Sequence, residues 1–152
     1  MKNTQLTEAV IAKNLTGVKL AIQNGADIHY YEDYALIHAS QQGYLEIVKY
    51  LLEKGANLRA LNSFALITAA ENGHFTMVKY LIKKGIEYSV QNNGAFIKAV
   101  ENGHSKIVQY LIRKGVNIHV KNDRAFSLAV KNNHLKIVKL LLKNGISNLA
   151  MS

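Results

Sequence analysis

The chain has 152 residues, 49% of them hydrophobic, with 19 lysines and arginines against 10 carboxylates. So much apolar content excludes a disordered tail, and no apolar run approaches the roughly 20 residues of a membrane helix. The absence of cysteine rules out disulfides, thiolate metal sites and cysteine nucleophiles, whereas a formal net charge of +9 raises the question of a nucleic-acid partner.

The N-terminus, Met1 to Val10, is polar and has no secretory hydrophobic region. Together with the composition, this leads us to expect a soluble intracellular protein, cytoplasmic and monomeric. Residues 1–30 then carry Leu6, Ala9, Val18 and Ile22, and end near Gly25.

Residues 31–60 show the same pattern more fully. Leu36, Ala39, Ser40 and Gly43 fall at the i, i+3, i+4, i+7 spacing of one helical face. Asp33 stands where a short polar side chain would cap that helix, and Gly43 stands where it would stop. A second helix is predicted over about Leu45 to Lys54, with the apolar pairs Ile47/Val48 and Leu51/Leu52. Lys54 suits the negative end of its dipole, and Gly55 supplies its C-terminal cap.

Residues 61–90, 91–120 and 121–150 repeat this unit without insertion. Glycines stand at Gly25, Gly55, Gly85, Gly115 and Gly145, and a second column runs Gly43, Gly73, Gly103, Asn133. The capping column continues as Ser63, Asn93 and Asp123. Alanine recurs at Ala9, Ala39, Ala69, Ala99 and Ala129, and valine at Val18, Val48, Val78, Val108 and Val138. A fixed period in this range marks a solenoid of stacked units, because one helix pair cannot bury its own apolar face.

The stretch from Gly43 to Ala56 (Gly-Tyr-Leu-Glu-Ile-Val-Lys-Tyr-Leu-Leu-Glu-Lys-Gly-Ala) resembles the second half of an ankyrin repeat, and Gly73-His74 and Gly103-His104 match that family's Gly-His turn. The resemblance covers five units and implies an all-α ankyrin-repeat solenoid forming a single domain over residues 1–152. The first unit has Lys13-Asn14 in place of Gly-His, and Gly17 in an apolar column, as an N-terminal cap would. The usual ankyrin period is 33, so the projecting fingers should be shorter here. The family's Thr-Pro-Leu-His is replaced by Tyr34-Ala35-Leu36-Ile37 and its equivalents, with the lost threonine cap taken over by the Asp33 column. This proline-free style, rich in Lys, Asn and Ile, is similar to the ankyrin repeats of giant DNA viruses.

The resemblance implies a protein-protein interaction module, an adaptor, scaffold or competitor, that binds a partner protein on a concave face formed by the first helices and connectors. No catalytic, cofactor or metal residues are expected. Helical geometry places positions 34, 38 and 41 away from the core stripe. Those columns vary where the core columns do not. They give Tyr34 and Phe64, then Arg124; His38 and Lys98; and Gln41, Glu71, Glu101 and Lys131. The connectors add Tyr31, Glu32, Asp33, Leu61, Asn62, Gln91, Asn92 and Lys121, with Asn122 beside it. The face therefore runs from aromatic (Tyr30, Tyr31, Tyr34, Phe64) through acidic (Glu71, Glu101) to basic (Lys121, Arg124, Lys131).

Two readings of the aromatics stay open: anchors for a partner, or rings that pack on neighbouring fingers. His74, His104 and His134 read as turn residues, since repeats about 10 Å apart are too widely spaced for ligands of one metal. Tyr50, Tyr80 and Tyr110 read as half-exposed packing rings. The rival function is a basic surface for nucleic acid or an anionic membrane, on Lys49, Lys79, Lys139 and the helix-end residues Lys83, Lys84, Arg113, Lys114 and Lys143. Against it, no aromatic platform is expected to interleave with those lysines. Ile137, Leu141 and Ile146 suggest an uncapped apolar C-terminal face, left for a partner or a dimer, or simply tolerated as an end.

Overall fold

The computed structural model describes residues 1–146, with the side chains of Asn92 and Asn122 outside the description. Residues 147–150 of the fifth unit also lie outside it. Ten helices form five pairs among the described residues: α1 (Lys2–Ile11) with α2 (Leu15–Gln23), α3 (Tyr30–Gln41) with α4 (Leu45–Glu53), α5 (Ala60–Glu71) with α6 (Phe75–Lys83), α7 (Val90–Glu101) with α8 (Ser105–Arg113), and α9 (Val120–Lys131) with α10 (Leu135–Lys143). The order and the boundaries follow the sequence period.

The odd-numbered helices pack far more closely on one another than the even-numbered ones do. Alanine explains the difference. Ala35, Ala65, Ala95 and Ala125, together with Ala39, Ala69, Ala99 and Ala129, are all buried. A methyl group lets two helix axes approach to the short end of the usual packing range. The even helices bury larger residues in their repeated columns, Ile47, Met77, Ile107 and Ile137. Tight on one side and wide on the other, the stack curves, and the odd helices line its concave side.

The 30-residue period is absorbed in the connectors. Three of the four begin with a turn in which an Asn or Asp side chain accepts a backbone N–H two residues on, as Asp27 does from His29 (2.9 Å), Asn57 from Arg59 (3.0 Å) and Asn117 from His119 (3.0 Å); in the other, Glu87 accepts the Ser89 hydroxyl. A single left-handed turn follows. Tyr31, Glu32 and Asp33 have φ of 48°, 52° and 60°, and Leu61, Asn62 and Ser63 have 47°, 54° and 64°. The right-handed helix begins only after it. The shortened finger is therefore a compact left-handed turn.

That turn corrects the capping assignment. Asp33 makes no side-chain cap bond to α3. Its carboxylate accepts the backbone N–H of Asn57 at 2.7 Å, 24 residues later. Asn3 accepts from Asp27 in the same way (2.8 Å), and the Asn93 amide donates to the Asn117 carbonyl (3.3 Å). In three of the five pairs, this column straps the foot of the pair to its own outgoing connector. The spacing showed a short polar residue without showing which N–H it serves.

The turn histidines tie each of the last three units to the one before. The Nε2–H of His74 donates to the Gln41 carbonyl (2.8 Å), His104 to Glu71 (2.8 Å) and His134 to Glu101 (2.9 Å). Each imidazole lies over the turn glycine of the preceding unit. A Cβ built on Gly73 would stand 2.6 Å from the His104 ring, and Gly73 also has φ of +77°. Gly85 has φ of +96° but nothing within 4 Å of a built Cβ.

The comparison yields a prediction. Gly85→Ala pays the left-handed cost alone, about 1–2 kcal/mol. Gly73→Ala adds overpacking against the imidazole, roughly 1–3 kcal/mol more. Urea unfolding followed by circular dichroism should show that gap, and His104→Ala should close it. Equal costs at the two glycines would show that the ring moves aside freely.

Candidate protein-binding face

The inner helices and their left-handed turns place the candidate residues on one side. Tyr31 is 75% exposed. Glu32, Gln41, Leu61, Asn62, Phe64, Gln91, Lys121, Arg124 and Lys131 are exposed as well. Tyr34, His38, Glu71, Lys98 and Glu101 are half-buried along the same row. Asn92 and Asn122 share the connector positions, but their side chains lie outside the described residues. Asp33 does not belong to this face. It is 4% exposed, and the Asn57 N–H and the His29 ring, 3.1 Å away at Nδ1, take up its carboxylate.

At the N-terminal end, the face is a tyrosine-lined groove of about 540 Å³, bounded by Tyr30, Tyr31, Tyr34, Thr4 and Thr7. Tyr30 and Tyr31 meet edge to face at 4.6 Å, so the groove wall is held in place. Tyr34 stacks on His38 at 5.5 Å. Burial lowers the pKa of His38, so at neutral pH the stack is uncharged. Thr4 and Thr7 were not among the sequence candidates. The signal was available: counting back one period from Tyr34 and Ile37 lands on them.

In the middle, Lys98 bridges two repeats. Its ammonium is 3.1 Å from Glu71 and 3.3 Å from Glu101. The hydrogen bonds that its ammonium donates to the two carboxylates, Glu71 first, raise the Lys98 pKa. The three groups together carry one net negative charge. At the C-terminal end, Lys121, Arg124 and Lys131 have no carboxylate within 4 Å among the described residues.

The convex side differs from the expectation in one respect. Aromatic rings do interleave with its lysines. Lys54, Lys84 and Lys114 each lie 5.6 Å from the ring of the tyrosine four residues earlier (Tyr50, Tyr80, Tyr110). Lys19 approaches Tyr50 and Lys79 approaches Phe75. These rings are half-buried and already have cations over them, which is a packing role. Lys49 is paired with Glu46 at 2.7 Å, and that hydrogen bond raises its pKa.

The C-terminal end also departs from expectation. Ile137, Leu141 and Ile146 are buried, at 1%, 0% and 2% exposure. They point back into α9 and the preceding pair. The residues left open are Val130 and Leu135. Ser127 is exposed where Ile37, Ile67 and Ile97 are buried in the other units, so this end is partly capped by a polar substitution.

A family model for ankyrin repeats (three copies) matches residues 6–92 and 91–151. No curated protein matches the chain. The match spans nearly all of the sequence, and the chain belongs to the ankyrin-repeat family. Ankyrin repeats are in general modules for protein-protein interaction, and the family is typically non-enzymatic.

The two neighbours Asp33 and Tyr31 should behave oppositely on substitution. Asp33→Ala removes the charged acceptor of the Asn57 N–H and the strap it makes to the connector, a loss of about 1.5–3 kcal/mol. Tyr31→Ala removes an exposed ring and should change stability by less than about 0.5 kcal/mol. Thermal and urea unfolding of the two single variants would check this. A stable Asp33→Ala protein would return Asp33 to the surface set.

Proposed function

We propose that this ankyrin-repeat chain binds a partner protein along its concave side, with Tyr31, Tyr34 and Phe64 as anchors and with Arg124 and the Glu71–Lys98–Glu101 cluster setting orientation. The role is that of an adaptor, scaffold or competitor, not a catalyst. One observation carries the reading. Tyr31 stands three-quarters exposed beside an open groove, although it already packs on Tyr30. A ring kept in water is unfavourable unless something covers it, and large, stiff aromatic side chains lose little entropy on being covered. Phe64, 38% exposed one repeat further on, extends the same apolar strip.

Exposed aromatics of this kind are the usual hot spots of protein interfaces, each worth about 2 kcal/mol or more when truncated. The triple variant Tyr31→Ala, Tyr34→Ala, Phe64→Ala should keep the wild-type circular dichroism spectrum. In affinity capture from cell lysate followed by mass spectrometry, it should lose the proteins that wild type retains. With a purified partner the affinity should fall at least about 30-fold. A folded triple variant that retains the same partner at wild-type strength would overturn the anchoring role.

A further inference from the structure

The charge of this chain is not spread along the array. Residues 102–152 hold nine of the 19 cations and one of the 10 carboxylates, whereas residues 1–101 hold ten cations and nine carboxylates. The one carboxylate in the last third, Asp123, is 2.6 Å from the His119 ring. The formal excess therefore sits almost wholly at the C-terminal end. On the concave side it is presented by Lys121, Arg124 and Lys131, all exposed. The opposite end of the same side is the tyrosine groove. Between them stands the Glu71–Lys98–Glu101 cluster with its one negative charge.

We propose that the partner offers this face an extended acidic polypeptide segment: an apolar or aromatic side chain seats in the Tyr30/Tyr31/Tyr34 groove, and a cluster of Asp or Glu lies against Lys121, Arg124 and Lys131. The proposal rests on the concave-side reading above and adds the partner's chemistry to it. The spacing follows from the stack. Tyr31 and Lys121 occupy the same position three repeats apart, and a repeat step is about 10 Å. An extended chain advances about 3.3 Å per residue, so the apolar residue and the acidic cluster are separated by about nine residues.

Charge decides between a polypeptide and a nucleic acid. A nucleic-acid strand carries a phosphate at every step, so along this path it would pass Glu32, Glu71 and Glu101. A polypeptide can place neutral residues there and concentrate its acids at the end. The convex tyrosines are occupied by lysines and offer no free ring for base stacking. The remaining cations of the last third, on α8, at its C-terminal cap and on α10, add a field of the same sign. That field speeds the approach of an acidic partner and is screened by salt.

The test uses the full chain and synthetic probes. Two fluorescein-labelled peptides carry a Leu-Trp pair, a Gln/Ser spacer and four glutamates beginning about nine residues away, one peptide in each chain direction. Control peptides place the glutamates next to the Leu-Trp pair, or replace them with glutamine. A uridylate oligomer of similar length and phosphatidylserine vesicles complete the set. Fluorescence anisotropy for the labelled probes, and sedimentation for the vesicles, are measured near physiological salt.

One correctly spaced peptide should bind at least about tenfold more tightly than its misspaced and glutamine controls. Lys121→Glu, Arg124→Glu, Lys131→Glu should weaken it by a further order of magnitude, while the spectrum of the folded chain is unchanged. Equal binding of the misspaced peptide, indifference to the charge reversal, tighter binding of RNA or vesicles, or no peptide binding at all would each overturn the proposal. The concave-side reading fails separately. If a captured partner is lost with the Tyr31/Tyr34/Phe64 variant but retained by the charge-reversed one, only the acidic segment is wrong.

Discussion

The close approach of the inner helices is the constraint on which the rest depends. It requires small side chains where helix meets helix, and alanine fills both columns from Ala35/Ala39 to Ala125/Ala129. The outer helices pack more loosely on one another and bury isoleucine and methionine at Ile47, Met77, Ile107 and Ile137. The curvature is a consequence of this inequality in side-chain volume. So is the location of the proposed binding side, because the row of residues next to the alanines along each inner helix is the row the curve turns toward. Replacing these alanines with larger residues would act on shape and binding together, through packing alone.

The cross-repeat histidine follows from the same closeness. An imidazole reaches back to the previous unit's carbonyl only if no Cβ stands beneath it. The glycine column obeys this condition locally. Gly43, Gly73 and Gly103 lie under His74, His104 and His134. Lys13 lies under no histidine, since Tyr44 takes that place and the Lys13 ammonium stands over its ring at 5.2 Å. Asn133 meets no such ring among the described residues. Both Lys13 and Asn133 keep a positive φ, at 55° and 58°. The left-handed conformation is thus common to the column, whereas glycine appears only where the neighbouring ring demands it. Two requirements that coincide in the middle of the array separate at its ends.

The period, the helix pairs, the core columns and the family resemblance were legible in the sequence because translational symmetry prints the same environment again and again. The positions of Leu36, Val48 and Leu51 could be read from one unit and checked in the next. Asp33 could not be read, because its function depends on a backbone N–H 24 residues away, and a short polar residue before a helix looks the same whether it caps that helix or straps another segment. Ile137 and Leu141 failed for a related reason. Their column faces the preceding unit, so they are buried even in the last repeat, and the open positions are those that would face a following one. The gradient along the proposed binding side was visible from the variable columns, but the Lys98 bridge across repeats was not, since it joins columns that sequence spacing treats as independent.

The shortened connector links the fold to the proposed function. Removing residues from the finger leaves too little chain for a hairpin, and the backbone turns instead through consecutive left-handed residues. That conformation costs about 1–2 kcal/mol for each residue that has a Cβ. Glycine would avoid the cost, yet the first position of the turn holds Tyr31, Leu61, Gln91 and Lys121, with φ between 47° and 51°. The turn is kept by bonds at its foot, where Asp33 and Asn93 reach their own connectors. Its first residue, held outward at the rim of the concave side, is where the chemistry changes from unit to unit: aromatic, aliphatic, amide, cation. A strained backbone that presents a different side chain at each step, on a scaffold otherwise uniform, separates what the stack needs from what a partner can read.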